Sequence, residues 1–253
     1  MLTPEGLKEQ AELLKLPLNK QRAIVREYAQ TIILRATYQT DFAQKIFFMG
    51  GTALRFAYGL KRFSEDLDFN AEKLSLADFK EILASCSKAL EKEGFTCEIS
   101  QKERTPLLIG QLKLTNILQN YKITTLKSEK LMVRVEIDRP VWHMETESAV
   151  VDRFGYLFSI LLMSKGALLS GKVDALINRC RGRDIYDVIF MLQRKFPLKV
   201  ELKQVILERI ENIKPAELMR LSKQVEPFLV DEEEKDFVVN AKTYVGELLT
   251  QHE

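Results

Sequence analysis

Cysteine and histidine are scarce in this chain. Three cysteines, Cys86, Cys97 and Cys180, sit singly among 253 residues, with no CxxC spacing and an odd total. They read as reduced thiols, which leaves out both a disulfide frame and a thiolate zinc site. Two histidines, His143 and His252, exclude a histidine-rich metal site and leave any imidazole catalysis to His143. A metal held here has to be hard and bound by oxygen. Long apolar runs are missing as well. The stretch Leu157 to Met163 falls far short of the roughly 20 residues a membrane helix needs, and Ser164 and Lys165 follow it at once. The opening MLTPEGLKEQ lacks the basic start and apolar centre of a secretory signal, so a cytoplasmic address is expected. Repeats, low-complexity tracts and Gly/Ser linkers are absent. So is an excess of one sign of charge: Lys plus Arg number 38 against 36 for Asp plus Glu, so only local clusters can speak for nucleic acid.

What remains is an ordinary globular composition, 46% apolar and 29% charged, in a chain that can bury one large core or two modest ones. Residues 1–40 read as a helical segment, broken near Pro17, with Ile24, Val25, Tyr28, Ile32 and Ile33 at helical spacing. The apolar run Ile46 to Met49 reads as a buried strand stopped by Gly50-Gly51. A helix is expected from Thr52 to Leu60, with Thr52 as its cap. Asp66 to Phe69 alternates as a strand with one wet face should, and Ser75 to Glu93 is an amphipathic helix. Strands are expected at Phe95–Ile99, Leu107–Leu114 and, most clearly, Leu131–Asp138, where Val133, Val135 and Ile137 alternate with Arg134, Glu136 and Asp138. From Val151 onward the pattern reads as helical, with breaks at Pro215 and near Pro227. The expectation is therefore an α+β protein: a helical segment over 1–40, a mixed sheet with flanking helices over 41–150 and an all-helical lobe over 151–253.

Two carboxylates one residue apart on a strand project from the same face. At ~6 Å and an effective dielectric of ~20, Asp66 and Asp68 repel by about 2 to 3 kcal/mol. Solvent can relieve that repulsion, and so can a divalent cation. Such a pair suits the Mg²⁺ ions of in-line phosphoryl displacement, with a third carboxylate from Glu136 or Asp138. The Gly50-Gly51-Thr52 turn before a helix offers backbone N–H groups and a positive helix end to a triphosphate, although a glycine pair by itself also marks a plain turn. It is neither a Walker A loop nor a GxGxxG fingerprint.

Phe48-Met49-Gly50-Gly51-Thr52-Ala53-Leu54, followed by Arg62-Phe63-Ser64-Glu65-Asp66-Leu67-Asp68-Phe69, resembles the first two motifs of the AbiEii/AbiGii toxin nucleotidyltransferases, the group that includes the MenT-type toxins within the DNA polymerase β-like superfamily. Lys165-Gly166-Ala167-Leu168, then Arg179 and Arg183-Asp184-Ile185-Tyr186-Asp187, resembles that group's later lysine and RDxYD motifs. The resemblance spans about residues 45 to 195 and implies a polymerase β-like core with a C-terminal helical lobe, the nucleotide lying between them. It implies roles as well. Gly50, Gly51 and Thr52 hold the triphosphate, flanked by Arg62 and Ser64. Asp66 and Asp68 bind Mg²⁺, two ions in all, and Lys165 neutralises the β- and γ-phosphates. Asp184 orients Lys165 or assists metal or hydroxyl activation. Without the resemblance, Lys165 reads as a solvated helix lysine, and Asp184 as a helix cap or a partner of Arg183. Position 52 carries Thr where relatives often carry Ser, which keeps the hydroxyl.

The activity implied is transfer of a nucleotidyl group from an NTP to an acceptor hydroxyl, tRNA first among acceptors. The expected setting is the toxin of a toxin–antitoxin or phage-defence (abortive infection) pair, with an antitoxin encoded nearby. A protein or small-molecule acceptor, or a nucleotide-binding regulator without turnover, are the alternatives. Lys172, Arg179, Arg181 and Arg183, with Arg194 and Lys195 beyond, form a local basic cluster that reads either as a solvated helix end or as a phosphate track for RNA.

Overall fold

A computed structural model describes residues 1–251 of the chain, so His252 lies outside the described residues. The chain divides into two compact units: Met1–Gly59 with Phe63–Met163, and Leu60–Arg62 with the residues from Ser164 onward. No helix among the described residues is long and apolar enough to cross a membrane.

The first unit carries α1 (Pro4–Leu13), α2 (Gln21–Tyr38), β1 (Ile46–Met49), α3 (Gly50–Tyr58), β2 (Asp66–Ala71), α4 (Leu76–Lys92), β3 (Cys97–Arg104), β4 (Leu107–Leu114), the single turn α5 (Ile117–Asn120), β5 (Leu131–Asp138), β6 (Thr146–Arg153) and β7 (Tyr156–Met163). Its seven strands form one mixed sheet in the order β3-β4-β5-β2-β1-β7-β6. β2 runs parallel to β5 and antiparallel to β1, while β1 runs parallel to β7.

The alternation of β2 decides what each sheet face carries. Leu67, Val135 and Gly110 are neighbours in register across β2, β5 and β4, and Gly110 lies against Leu83 and Phe79 of α4. Phe69 shares that face and meets the ring of Tyr38 on α2, centroids 6.5 Å apart. The apolar core thus lies under α2 and α4. Asp66, Asp68 and Asn70, one residue out of step, belong to the opposite face. Ser75 caps α4 in a reciprocal box with Asp78, which is why the amphipathic pattern there begins so sharply.

The stretch after Val151 departs from the helical expectation. Residues 146–163 form the β6–β7 hairpin, and the helical region starts at Lys165 rather than at 151. Phe154 and Gly155 make the two-residue turn with φ of 51° and 79°, the doubly positive geometry that matches the twist of a tight hairpin. β3 is longer than expected and Thr52 is not the cap of α3: the helix is entered from Met49, with no side-chain cap, and Thr52 is its third residue.

The second unit holds α6 (Lys165–Asn178), α7 (Gly182–Gln193), α8 (Val200–Glu211), α9 (Pro215–Val225), the single turn α10 (Asp236–Val239) and α11 (Ala241–Thr250). α6 runs unbroken through Ser170-Gly171-Lys172. α7 is almost wholly buried and packs on α6, α9 and α11. Its first residue, Gly182, sits so close to α9 that a Cβ there would lie 2.0 Å from the Leu221 carbonyl oxygen. Gly171, in the middle of α6, has nothing within 4 Å of its Cβ position. The two glycines should answer oppositely to one methyl group. Gly182→Ala is expected to destabilise by about 1–3 kcal/mol or more, because backbone must move. Gly171→Ala should stabilise by roughly 0.5–1 kcal/mol through helix propensity. Urea titrations of both variants against the parent check this; equal midpoints for the two would contradict the packing.

Candidate active site

The first unit brings four of the expected residues together. Met49 of β1 is the register partner of Asp68, and the chain turns at once into α3 through Gly50, whose φ is 76°. A Cβ on Gly50 would stand 2.4 Å from Asp68 Oδ2 and 3.1 Å from its Cβ. The turn that opens α3 therefore lies directly on the Asp68 side chain, and only glycine permits both the backbone angle and the approach. The Thr52 hydroxyl donates to the Asp66 main-chain carbonyl, so this buried side chain fixes the start of β2. The first turn of α3 has no side-chain cap, and its N–H groups lack intrahelical partners.

α2 holds the approach to β2. Gln30 Nε2 donates to the Ser64 carbonyl at 3.1 Å, and Arg26 pairs with Glu65 at 3.2 Å. One turn along, buried Glu27 takes Arg55 of α3 and, at 2.9 Å, Arg153 at the end of β6. The two guanidinium groups lie over Phe63 and Phe56, at 4.8 and 4.9 Å from the ring centroids. Ser64, expected near the phosphates, enters this arrangement through its main chain.

On the same sheet face, Asp66 is in register with Arg134, Asp68 with Glu136 and Asn70 with Asp138. Glu136 is thus the carboxylate beside Asp68, though it is also paired with Arg134. Asp138 is one step further along and accepts the Arg139 N–H at 2.8 Å. Among the described residues, no three Asp, Glu, His or Cys side chains converge as a metal cluster. The donor set that does exist, the half-buried carboxylates of Asp66 and Asp68 on one strand face, fits Mg²⁺, which is commonly held by one or two carboxylates and completed by substrate phosphates and water. Arg134, adjacent to Asp66 and cationic, went unremarked as a site residue, because alternation on β5 marks it only as solvent-facing.

The second unit places the other expected residues differently. Lys165 is the first residue of α6 after the Ser164 cap, exposed, with its ammonium 6.0 Å from the Phe196 ring centroid. A lysine at a helix N-terminus opposes the macrodipole, a placement that an anion would relieve. Asp184 is buried. Its carboxylate accepts the Arg181 N–H at 3.1 Å and a bidentate pair from Arg179 at 3.0 and 2.9 Å, so the capping role is the one its geometry fills, with Arg179 and not Arg183 as partner. Arg62 is not open to solvent either: its guanidinium grips Asp187 in two 2.6 Å bonds, and Lys172 reaches the same carboxylate at 2.6 Å. Asp187 closes the RDxYD motif, but the sequence assigns it no role, because its partner Arg62 lies 125 positions away. Lys172 and Arg179 are thus paired with Asp187 and Asp184, and Arg183 lies over Phe228 at 4.6 Å, while Arg179, Arg181, Arg194 and Lys195 remain exposed.

The family description "Nucleotidyl transferase AbiEii toxin, Type IV TA system" matches residues 32–250. The chain belongs to the AbiEii nucleotidyltransferase toxin family. Solved structures share its fold. JHP933 from Helicobacter pylori is 19% identical with a TM-score of 0.64, covering 91% of this chain and 93% of that one. A putative nucleotidyltransferase from H. pylori, also 19% identical, has a TM-score of 0.62 over 91% and 96%. MenT4, a nucleotidyltransferase toxin from Mycobacterium tuberculosis, is 16% identical with a TM-score of 0.62 over 100% and 91%. Comparison with curated proteins finds no match. This AbiEii chain is thus a toxin nucleotidyltransferase with a mixed sheet and a helical C-terminal region.

Two measurements follow from the site's construction. Gly50→Ala is expected to cost the toxin about 1–2 kcal/mol for the left-handed backbone and to displace Asp68. NTP-dependent transfer should then fall far more than the melting temperature does, and unimpaired transfer would contradict the close approach. Burial alone would raise the pKa of Asp187, but Arg62 and Lys172 outweigh it and hold the carboxyl below its ordinary value. The stabilisation is therefore fully present above the unfolded value near ~3.9 and is lost as pH falls through the folded pKa. Asp187→Asn should lower stability at pH 7 by about 3–5 kcal/mol, because two buried cations lose their counter-charge, and should flatten the acid limb of a stability–pH curve measured by urea unfolding.

Proposed function

We propose that this AbiEii protein transfers a nucleotidyl group from an NTP to an acceptor hydroxyl of tRNA, with Mg²⁺ held by Asp66 and Asp68. The observation that carries the proposal is the seating of the Gly50 turn against Asp68, which brings the uncapped N-terminus of α3 up to that carboxylate. Bound Mg²⁺ supplies charge neutralisation for the attacking and departing oxygens. The main-chain N–H groups of Gly50 and Gly51 orient the triphosphate, and Asp66 and Asp68 hold their oxygens toward it from one strand face. Glu136, in register with Asp68, is the nearer of the two candidates for a third carboxylate, with Asp138 the more distant. In the second unit, Lys165 is assigned to the β- and γ-phosphates, and Asp184 acts as a positioning residue that fixes the start of α7. The acceptor oxygen forms a bond to the α-phosphorus as the bond to pyrophosphate breaks, and the hydroxyl proton passes to a carboxylate of the pair or to water. Arg62 supports the site through Asp187 and not through direct phosphate contact.

The type IV toxin–antitoxin description of the family supports a partner antitoxin, and the proposal extends this to a cytoplasmic role in toxin–antitoxin or phage defence. Pairing of Lys172 and Arg179 with buried carboxylates, which takes two cations of the basic cluster away from a phosphate track, is the observation that keeps a protein or small-molecule acceptor as a second reading. Labelled NTPs offered to total RNA, to protein extract and to small hydroxyl compounds separate the two. Label is expected in tRNA, dependent on Mg²⁺ and abolished by chelator. Asp66→Asn and Asp68→Asn should each reduce it by roughly a hundredfold or more. Transfer retained in both variants would sink the mechanism, and NTP binding without pyrophosphate release under any acceptor would make the protein a regulator.

A further inference from the structure

A second cationic site lies in the helix layer of the first unit. Between α2 and α4 there is a cavity of about 440 Å³ lined by Arg35, Gln39, Ser85, Lys88, Lys92 and Tyr156, among others. Three of these side chains are cations, and none has an ion-pair partner among the described residues. The one carboxylate in the lining, Glu93, is already occupied. It takes the Met1 ammonium at 2.6 Å, the Tyr28 hydroxyl at 3.0 Å and the Tyr156 hydroxyl. Lys88 and Lys92 stand one helical turn apart, a spacing at which like charges repel and weaken a helix. Arg35 comes from the other helix and is held in place by stacking on Tyr156, 5.2 Å from the ring centroid.

Three cations around one concavity, with no anion to spare, impose a cost that the fold leaves unrelieved. A bound anion relieves it. The cavity has the volume of a small-ligand site, and Ser85 and Gln39 add uncharged hydrogen-bonding groups to the lysines and arginine. α2 and α4 cover the Leu67/Phe69 face of the sheet, whereas Asp66 and Asp68 belong to the other face, so this site is separate from the nucleotide site. We propose that the Arg35–Lys88–Lys92 cavity binds the phosphate or pyrophosphate group of a small phosphorylated ligand.

The test uses the full-length protein carrying Asp66→Asn and Asp68→Asn, which removes metal-dependent triphosphate binding, with inorganic pyrophosphate in EDTA as the calorimetric probe. Saturable one-to-one binding is expected. Adding Lys88→Gln and Lys92→Gln should weaken it by at least about tenfold, two charge-assisted contacts being lost. Lys88→Arg and Lys92→Arg should largely preserve it. Both lysines are exposed and mutually repulsive, so the glutamine variant should keep its circular dichroism and melt no lower than the parent without ligand. Absence of saturable binding would overturn the proposal, as would equal affinity with and without the lysines. A short RNA that binds through Lys88 and Lys92 while pyrophosphate is ignored would also overturn it, making the surface an RNA contact.

Discussion

The Asp187 carboxylate, shared by Arg62 and Lys172 and wholly buried, is the constraint on which the arrangement around the site depends. It builds Leu60–Arg62, the segment between α3 and β2, into the second unit, although the chain on both sides belongs to the first. Lys61 reinforces the attachment: its carbonyl accepts the Val230 N–H at 2.9 Å and its ammonium pairs with Glu234 at 3.2 Å. Asp66 follows Arg62 by four residues. The segment between α3 and β2 is thus held by charge at Arg62, and at Ser64 and Glu65 by Gln30 and Arg26 of α2.

Charge suits this task for a physical reason. The segment has two buried apolar anchors, Leu60 and Phe63, but the residues between and after them are polar and Asp66 and Asp68 are only half-buried, so apolar packing alone does not fix its direction. Buried ion pairs add little net stability against well-packed hydrocarbon, but they are strongly directional, and breaking one costs about 3–5 kcal/mol. Against a total stability of roughly 5–15 kcal/mol, such a penalty makes the native loop conformation one that competing conformations cannot easily replace. The Glu27 cluster applies the same logic to α3, with two guanidinium groups on one buried carboxylate and aromatic rings beneath both.

Much of this was legible from the residues. β5 announces itself by alternation from Val133 onward, β1 by an apolar run ending at a glycine pair, and Asp66 and Asp68 by sharing a strand face. The β6–β7 hairpin was not legible as such. YLFSILLM suits a helix as well as a strand, because its apolar residues follow no single period. The turn that defines it places Phe154 at positive φ, where Asn or Asp would ordinarily give the signal. Charge partners were hidden for a different reason. Arg62 and Asp187 are 125 positions apart, and a basic cluster in sequence does not reveal which of its members the fold has already neutralised. Arg35, Lys88 and Lys92 show the converse, since three unremarkable cations from two helices meet only because α2 packs on α4.

The Gly50–Asp68 contact joins two functions that are often considered separately. In the proposed mechanism a triphosphate at the start of α3 and a cation at Asp68 would be neighbours, because the Gly50 turn approaches Asp68 so closely that a Cβ there would lie 2.4 Å from Oδ2. Without a cation, Asp66, Asp68 and the incoming phosphates are all negative, and the peptide N–H groups alone must offset their repulsion. With one, the same proximity turns attractive, and the cation is shared between strand and substrate. With Glu136 paired to Arg134, the proposed cation would rest mainly on Asp66 and Asp68 and keep coordination positions for phosphate oxygens, which would tie metal affinity to nucleotide binding. The two would then be coupled, each strengthening the other by the same factor.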